Sequence, residues 1–339
     1  MNKRGMLSIT LWFLLLIAQS VRAEEFKKLG QTSMKWLSIP IGAKSMAIGN
    51  AITCDATNAA DVFWNPAGVG FVKSPQIYLS HVPWIADINQ EAAAVAVPLG
   101  KLGVVVANVR VVDFGKQQGT RLASNDRGWD YTETFSPSAY QIGLGFSQRI
   151  TDRFSYGLNV SYAQEKLGTV QYAPVLGGDP KNPQSQKTSM ALVNMDFGVL
   201  YYTGFRDLRI GMILKNFSEE KGYGNVGNSI PMDLHFGMAM DLISLVYPEQ
   251  TRHRCTLSWD LSHPRDYAER LHFGLEYVYS DLVALRAGYK TNYDEENLSF
   301  GAGIMPGIGF GSVKLGLDYA YVPFGVFGSV QSFSFCIQF

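Results

Sequence analysis

The feature that most constrains the fold of this chain is the period-2 alternation of apolar and polar residues beyond Lys73. In the segment 270–279, Leu, Phe and Tyr occupy every second position, and Arg, His, Gly and Glu stand between them. Segments 252–262 and 313–321 show the same pattern. Alternation of this kind predicts strands that have one apolar face. We assign strands at 75–82, 88–98, 102–113, 138–149, 154–166, 190–203, 208–216, 232–242, 251–262, 270–279, 282–290, 296–305, 313–321 and 329–339.

The apolar faces of the strands are predicted to contact the hydrocarbon core of a membrane. Charged residues make up 17% of the chain, below the roughly 25% of a soluble domain. After the N-terminal region, no uninterrupted apolar run reaches the roughly 20 residues of a spanning helix. Only helices and closed barrels satisfy all backbone polar groups in lipid. We therefore predict an all-β fold, a 14-stranded antiparallel transmembrane β-barrel.

Loop lengths distinguish this barrel from a soluble sandwich, which would also alternate. The long connections 114–137, 167–189 and 217–231 fall on one side by strand parity. The short turns 151–153, 204–207 and 280–281 fall on the other side. Long external loops and short periplasmic turns are typical of outer-membrane barrels, so we expect the protein in the cell outer membrane of a Gram-negative type.

The last strand carries a predicted assembly signal. Phe335, Ile337 and the terminal Phe339 share one face, and this ending resembles the signal by which the barrel assembly machinery recognises its substrates. The alternative is an ordinary edge strand that ends in Phe. Because an unpaired apolar edge invites aggregation, we expect this strand to pair with the first one and close the barrel.

The chain before the first strand divides into two predicted parts. Residues 1–23 form a signal peptide, since Lys3 and Arg4 precede an apolar run that ends in the small-residue pattern Val21-Arg22-Ala23. Residues 24–72 are predicted to form a plug, and residues 73–339 the barrel. A barrel of fourteen strands is too wide for its own side chains to fill, and the many Gly and Ala residues of 24–72 suit close packing against its wall.

The plug also carries a recognisable pattern. Its motif residues are Gly42, Ala43, Ser45, Met46, Gly49, Asp55, Trp64, Asn65, Pro66 and Gly68. This pattern resembles the N-terminal signature of the PorV/PorQ family, within the FadL-like superfamily of outer-membrane transporters. PorQ-like chains tend to lack the Trp before Asn-Pro, so Trp64 favours the PorV side or a generic member.

The resemblance implies a barrel with an N-terminal hatch and two alternative functions. One is a transporter or receptor for hydrophobic compounds. The other is an accessory of type IX protein secretion that shuttles or attaches cargo. The implied partners are outer-membrane lipid, the barrel assembly machinery, and either hydrophobic small molecules or secretion components and cargo domains. From the residues of the corner, we expect Pro66 to fix its own φ and Gly68 to adopt positive φ.

Other chemistry is weakly indicated. A barrel hydrolase at the rim, with Ser262, His263 and Asp266, is the alternative function, but polar rims produce such groupings routinely and we expect no enzyme. No GxSxG or HExxH motif is present. No cofactor or metal is expected: Asp179 and residues 294–296 lack calcium-ligand spacing, and three distant cysteines support no metal site. A net charge of +0 gives no reason to expect nucleic-acid binding.

Two further sets of polar residues each allow two interpretations of their role. The loop 112–136 contains a polar and aromatic patch that suits either a partner or plain solvation: Asp126, Arg127, Trp129, Asp130, Tyr131 and Glu133. Six charged residues are predicted to face the lumen, where they either line a pathway or pair with one another: Arg252, Arg254, Arg270, Glu276, Arg286 and Lys290.

Overall fold

The structure is a computed structural model that describes residues 30–172, 184–222, 227–247, 252–310 and 313–339. Fourteen strands form a closed antiparallel barrel, and two more form a separate hairpin. The strands are β1 (Gln76–Pro83), β2 (Asn89–Pro98), β3 (Val104–Asp113), β4 (Gln117–Leu122), β5 (Trp129–Phe135), β6 (Ser138–Arg149), β7 (Phe154–Tyr172), β8 (Gln184–Tyr202), β9 (Arg209–Ser218), β10 (Asp233–Asp241), β11 (His253–Pro264), β12 (Arg270–Tyr279), β13 (Val283–Lys290), β14 (Leu298–Phe310), β15 (Val313–Pro323) and β16 (Ser329–Gln338).

Pairing of the first and last strands closes the barrel, as predicted. β1 runs antiparallel to β16, from Gln76 opposite Gln338 to His81 opposite Phe333. The other strands follow in chain order around the barrel, except that β3 pairs directly with β6. The predicted fold class is therefore confirmed.

Two regions differ from the predicted strand boundaries. The predicted loop 114–137 contains the β4–β5 hairpin, whose strands are too polar for an apolar alternation to reveal. β7 and β8 each have 19 residues and extend beyond the predicted 154–166 and 190–203. The β8 extension, 184–189, is polar, with Gln, Ser, Lys and Thr. The β7 extension, 167–172, reads Leu-Gly-Thr-Val-Gln-Tyr and does not alternate strictly, so hydrophobic periodicity detects neither.

Helices are short. The α-helices are α1 (Ala43–Ala47), α2 (Pro66–Val69) and α3 (Leu242–Val246). The 3-10 helices are Lys35–Ser38, Ala59–Phe63, Ile85–Asp87, Gly100–Leu102 and Gly325–Phe327. In the part of the chain that the structure describes, no helix has the length and apolar character needed to cross a membrane.

The barrel has an apolar outer face and a polar inner face. Leu144 and Leu285 on the outside are 67% and 58% exposed, whereas Asn194 and Asp260 on the inside are 0% and 1% exposed. This is the reverse of a soluble protein and fits a barrel whose outer solvent is hydrocarbon.

The two ends of the barrel are unlike. We call the end with the connections 99–103, 150–153, 203–208 and 280–282 the turn end. The end with the connections 84–88, 114–137, 219–232, 265–269, 291–297 and 324–328 is the loop end.

Residues 30–72, here called the luminal segment, pack on the inner faces of the strands. Hydrogen bonds to the wall come from all around the barrel: Gln90 to Pro40 O, Ser155 to Ala67 O, Ser299 to Ala47 O, Ala43 N to Ser334, and Thr53 N to Asp260. The segment begins at the loop end, where Lys35 contacts Asp266. The predicted signal peptide and residues 24–29 lie outside the described residues, and the domain boundaries at 23 and 72 stay a prediction.

Candidate functional site

The luminal segment lies on a row of inward-facing glycines. A Cβ added at any of eight barrel glycines would come within 3.0 Å of a luminal-segment atom. These glycines are Gly145, Gly157, Gly198, Gly211, Gly237, Gly274, Gly288 and Gly301. They lie on β6, β7, β8, β9, β10, β12, β13 and β14. Sequence reasoning missed them, although glycine at an inward position of eight strands was a readable signal of close backbone approach.

Asn65 ties three parts of the molecule together. Its side-chain Oδ1 accepts a hydrogen bond from Ala67 N at 3.1 Å and so caps α2. Its Nδ2 donates to Thr53 O at 2.8 Å and to Val199 O, on β8, at 3.2 Å. The residue is 1% exposed. Because all these groups are buried together, losing the amide would leave carbonyl groups without partners.

Trp64, Pro66 and Gly68 complete the corner around Asn65. The Trp64 indole Nε1 donates to Ile41 O at 2.9 Å, and Pro66 is the first residue of α2, a position that favours proline. The expectation of positive φ at Gly68 is wrong, because this residue lies inside α2 and is not among the residues with positive φ. Glycine is required there by space: a Cβ would collide with Asp55 O.

The upstream motif residues also contact the wall. Gly49 has φ +63°, and its backbone lies against Gly288 of β13. Met46 is 3% exposed and packs in an apolar cluster with Ala320 and Val330. The Ser45 hydroxyl donates within the segment, to Ile41 O at 2.5 Å.

Near the turn end, charged residues pair across the boundary between segment and wall. Lys44 Nζ lies 2.7 Å from Asp55 Oδ2 and 3.8 Å from Glu276 Oε2. Arg286 lies 2.7 Å from Glu276 and 2.6 Å from Asp318. Burial alone would lower the pKa of Lys44, but the two nearby carboxylates raise it above its ordinary value.

Most of the predicted luminal charges are therefore paired. Besides the Glu276–Arg286 pair, Lys290 lies 2.6 Å from Glu296 and Arg254 lies 3.1 Å from Asp281. Arg270 differs, since its guanidinium lies 4.3 Å from the ring centroid of Tyr267 and 4.1 Å from that of Tyr293. Pairing, rather than a charged pathway, describes Arg254, Glu276, Arg286 and Lys290.

Toward the loop end the luminal segment leaves two spaces. An interior cavity of about 70 Å³, here called the chamber, lies between the segment and strands β9 to β12. A larger cavity of about 770 Å³, the vestibule, lies at the loop end. Both spaces are lined by Lys35, Ser38, Ile39, Pro40, Asn50, Arg270 and Tyr293. The chamber therefore adjoins the vestibule.

The rim grouping proposed for a hydrolase is not formed. Ser262 is 1% exposed and donates to Asp233, whereas His263 is on the opposite face and pairs with Glu269. Asp266 instead binds Lys35 and Thr32. Adjacent strand residues point to opposite faces, so Ser262 and His263 do not meet as nucleophile and base.

The remaining sequence-predicted residues lie apart from this interior. The loop patch falls on and beside the β4–β5 hairpin, where Trp129 and Tyr131 stack at 4.8 Å between ring centroids and are exposed. Glu296 pairs with Lys290, and Asp179 lies outside the described residues. No group of three His, Cys, Asp or Glu residues that could hold a metal occurs among the residues described.

The C-terminal residues lie where an assembly signal would be accessible. Phe335 and Phe339 are 44% and 49% exposed on the outer face, and Phe339 N donates to Pro75 O at 3.0 Å. Their role in recognition by the assembly machinery stays a prediction.

Fold and site together define a closed 14-stranded antiparallel β-barrel that holds the luminal segment inside it. Solved structures with this fold include a FadL homologue from Pseudomonas aeruginosa, at TM-score 0.55 and 13% identity, covering 89% of this chain and 98% of that one. The toluene transporter TodX from Pseudomonas putida gives TM-score 0.54 and 13% identity, over 87% and 96% of the two chains. The toluene transporter TbuX from Ralstonia pickettii gives 0.55 and 13%, with the same coverage as TodX.

The sequence itself identifies the family. The family described as type IX secretion system membrane protein PorP/SprF matches residues 132–329. The chain therefore belongs to the PorP/SprF family of type IX secretion system membrane proteins. A search of curated protein sequences finds no significant match.

Proposed function

We propose that this protein is an outer-membrane accessory barrel of type IX secretion, which docks secretion components or cargo domains at its loop end. The observation that carries the proposal is that the luminal segment occupies the lumen of the barrel. The chain also belongs to a secretion family. Eight wall glycines leave room for the luminal segment, and the chamber beside it measures only about 70 Å³. A barrel filled in this way is suited to present a surface rather than to conduct bulky cargo.

The loop end offers the exposed surface that such docking needs. The β4–β5 hairpin projects from the barrel with Trp129, Tyr131 and Phe135 exposed at 36%, 64% and 37%. Aromatic residues on a polar surface are common anchors of protein interfaces. The N-terminal motif with Trp64 resembles the signature of the PorV/PorQ family, and we infer from this resemblance a PorV-like role in shuttling or attaching cargo.

Affinity purification from native outer membranes tests this proposal. The tagged full-length chain is expected to recover type IX secretion components or cargo domains. Replacing residues 117–135 with a Gly-Ser linker is expected to reduce that recovery at least about ten-fold, as loss of a few interface anchors would do. Leu285→Ala on the outer wall serves as the matched control. Absence of any secretion component from the unmodified preparation would contradict the proposal.

A second function, passage of hydrophobic compounds, is favoured by one observation. The outer wall carries an apolar groove of about 380 Å³ between β16, β1, β2 and β3, lined by Leu79, Ala93, Val109, Phe333 and Phe335 among others. Toluene entry into liposomes that contain the purified barrel distinguishes the two functions. Entry through the unmodified protein would favour transport, and its absence favours the secretion role.

A further inference from the structure

The chamber gathers buried polar atoms that lack partners. Ten buried side-chain nitrogen or oxygen atoms of the described residues have no hydrogen-bond partner, and five of them belong to residues that line the chamber. They are Asn50 Oδ1, Arg110 Nε, Asp266 Oδ1, Arg270 Nε and His272 Nδ1. Because a buried polar group without a partner costs about 1–3 kcal/mol, such a concentration indicates a place built to hold something polar.

Three of the cations around the chamber are not neutralised by contact with a carboxylate. Arg110, Lys215 and Arg270 make no ion pair within 4.0 Å to any residue the structure describes. The carboxylates of the lining are already engaged, Asp266 with Lys35 at 2.8 Å and Asp233 with His235 at 2.9 Å. The lining therefore carries an excess of positive charge.

Aromatic rings hold these cations in place of carboxylates. The Lys215 Nζ lies 4.4 Å from the ring centroid of Trp64, and the guanidinium of Arg110 lies 5.9 Å from that of Trp36. Arg270 lies between two tyrosine rings, as described above. Ring faces stabilise a cation without using its N–H donors. Arg110 Nη1 is already used, since it donates to Leu37 O at 3.0 Å and to Trp36 O at 3.4 Å. Arg110 Nε and Arg270 Nε have no partner among the described residues, so these donors stay available to a ligand.

The carboxylate of Asp196 attracts Arg110 and Lys215 through space, but it forms no ion pair within 4.0 Å with either residue. Its oxygens accept hydrogen bonds from Asn216 N at 2.7 Å and Asn159 Nδ2 at 3.1 Å. A buried cation without a carboxylate in contact destabilises the fold, and an anion bound beside it reduces that cost.

We propose that the chamber binds a small organic carboxylate that also carries a hydrogen-bond donor, such as a hydroxy acid. The arginines present N–H donors that suit a carboxylate. The unpartnered oxygens of Asn50 and Asp266 require a donor on the ligand. Leu37, Ile41 and Phe63 in the lining fit a short carbon skeleton, and a volume of about 70 Å³ admits only a small one. Entry is from the loop end, through the vestibule.

Titration calorimetry on the purified full-length barrel tests this site with four probes of similar size. Lactate is expected to bind saturably at one site per chain. Propionate, which lacks the hydroxyl donor, is expected to bind at least about ten-fold more weakly, and lactamide, which lacks the charge, not measurably. Tighter binding of inorganic phosphate than of lactate would overturn the organic class. If lactate shows no saturable binding, the chamber holds only water and the proposed binding site is wrong.

Substitutions locate the binding in the chamber. Arg110→Gln and Arg270→Gln are each expected to weaken lactate binding at least about ten-fold, because each removes a charge-assisted donor. Arg153→Gln, on the exposed 150–153 connection at the turn end, is the matched control. Lys215→Gln gives a second test if Arg110→Gln does not fold, as judged by heat-modifiable migration in gels. Unchanged affinity in Arg270→Gln or Lys215→Gln would contradict the assignment. The outcome is independent of whether secretion components bind the loop end.

Discussion

The two halves of the lumen differ in how they treat buried polar groups. Outside the chamber, the luminal segment packs on the wall glycines, and near the turn end buried charges pair as Lys44 with Asp55 and Arg286 with Glu276 and Asp318. Toward the loop end, the chamber is lined by three cations that make no ion pair with any described residue and by five of the ten unpartnered polar atoms. Arg209 Nε is unpartnered near the turn end, but the chamber is where such atoms are concentrated.

This difference separates two tasks within one barrel. Close backbone contact at glycine positions leaves no room for a ligand and fixes the luminal segment against the wall. Unpaired polar groups beside a vestibule stabilise the fold less and favour binding instead. We therefore expect substitutions toward the turn end to change permeability and stability, and substitutions in the chamber to change ligand affinity.

The largest expected effect on conductance comes from adding a side chain at a wall glycine that contacts the luminal segment. In Gly288→Val, the new side chain would collide with the backbone of Gly49, and either the segment or the strand must move. Overpacking of this kind costs about 1–3 kcal/mol or more. We expect displacement of the luminal segment and a marked rise in ion conductance in planar bilayers.

A glycine in open space provides the control for that substitution. No heavy atom lies within 4 Å of a Cβ built on Gly227 in the loop before β10, so Gly227→Val should leave conductance and folding unchanged. If the Gly288→Val barrel folds and keeps the conductance of the unmodified protein, the position of the luminal segment does not depend on a glycine at 288.

Asn65→Leu is expected to loosen the luminal segment and to increase permeability less than Gly288→Val does. This change removes the cap of α2 and leaves Thr53 O and Val199 O without their donor, at about 1–3 kcal/mol for each orphaned group. The strand pairing is untouched, so the barrel should still assemble. Permeability of cells to hydrophobic antibiotics is expected to rise.

The exposed Asn89 offers a matched comparison for Asn65. Its amide makes only a local contact with Asp87 O, and Asn89→Leu should not alter permeability. If Asn65→Leu gives a folded barrel with unchanged antibiotic entry, the Asn65 corner does not hold the segment in place.

The barrel could be predicted from sequence because the alternation of apolar and polar residues that defines each strand is a local pattern. In β12, alternating Leu, Phe and Tyr sort to the outside by the period of the strand alone, and the same holds for β15 and β16. The β4–β5 hairpin is not revealed in this way, since β4 is mostly polar and the aromatic residues of β5 are exposed rather than part of a longer apolar face. Hydrophobic periodicity therefore does not register it.

The interior depends on contacts between residues far apart in the chain. Asn65 was recognised in a motif, but its partner Val199 lies 134 positions away. The contact of Lys44 with Glu276, and the absence of an ion pair between Arg110 and any described residue, likewise follow from how strands meet around the closed barrel. Spacing in the sequence does not encode which inward side chains share a cavity, so the chamber was not predicted.

The smallest effect should come from Trp64, which lies where the two halves meet. Its indole donates to Ile41 O at 2.9 Å, while its ring lines the chamber beneath Lys215. Trp64→Phe keeps a ring for Lys215 and removes one hydrogen bond, so the free energy of unfolding should fall by about 1 kcal/mol. Guanidinium unfolding in detergent would measure this, and antibiotic entry should stay at the level of the unmodified chain. If Trp64→Phe instead raises antibiotic entry as much as Asn65→Leu, the contact that excludes solutes includes the Trp64–Ile41 bond, and the boundary between the two halves lies closer to the loop end.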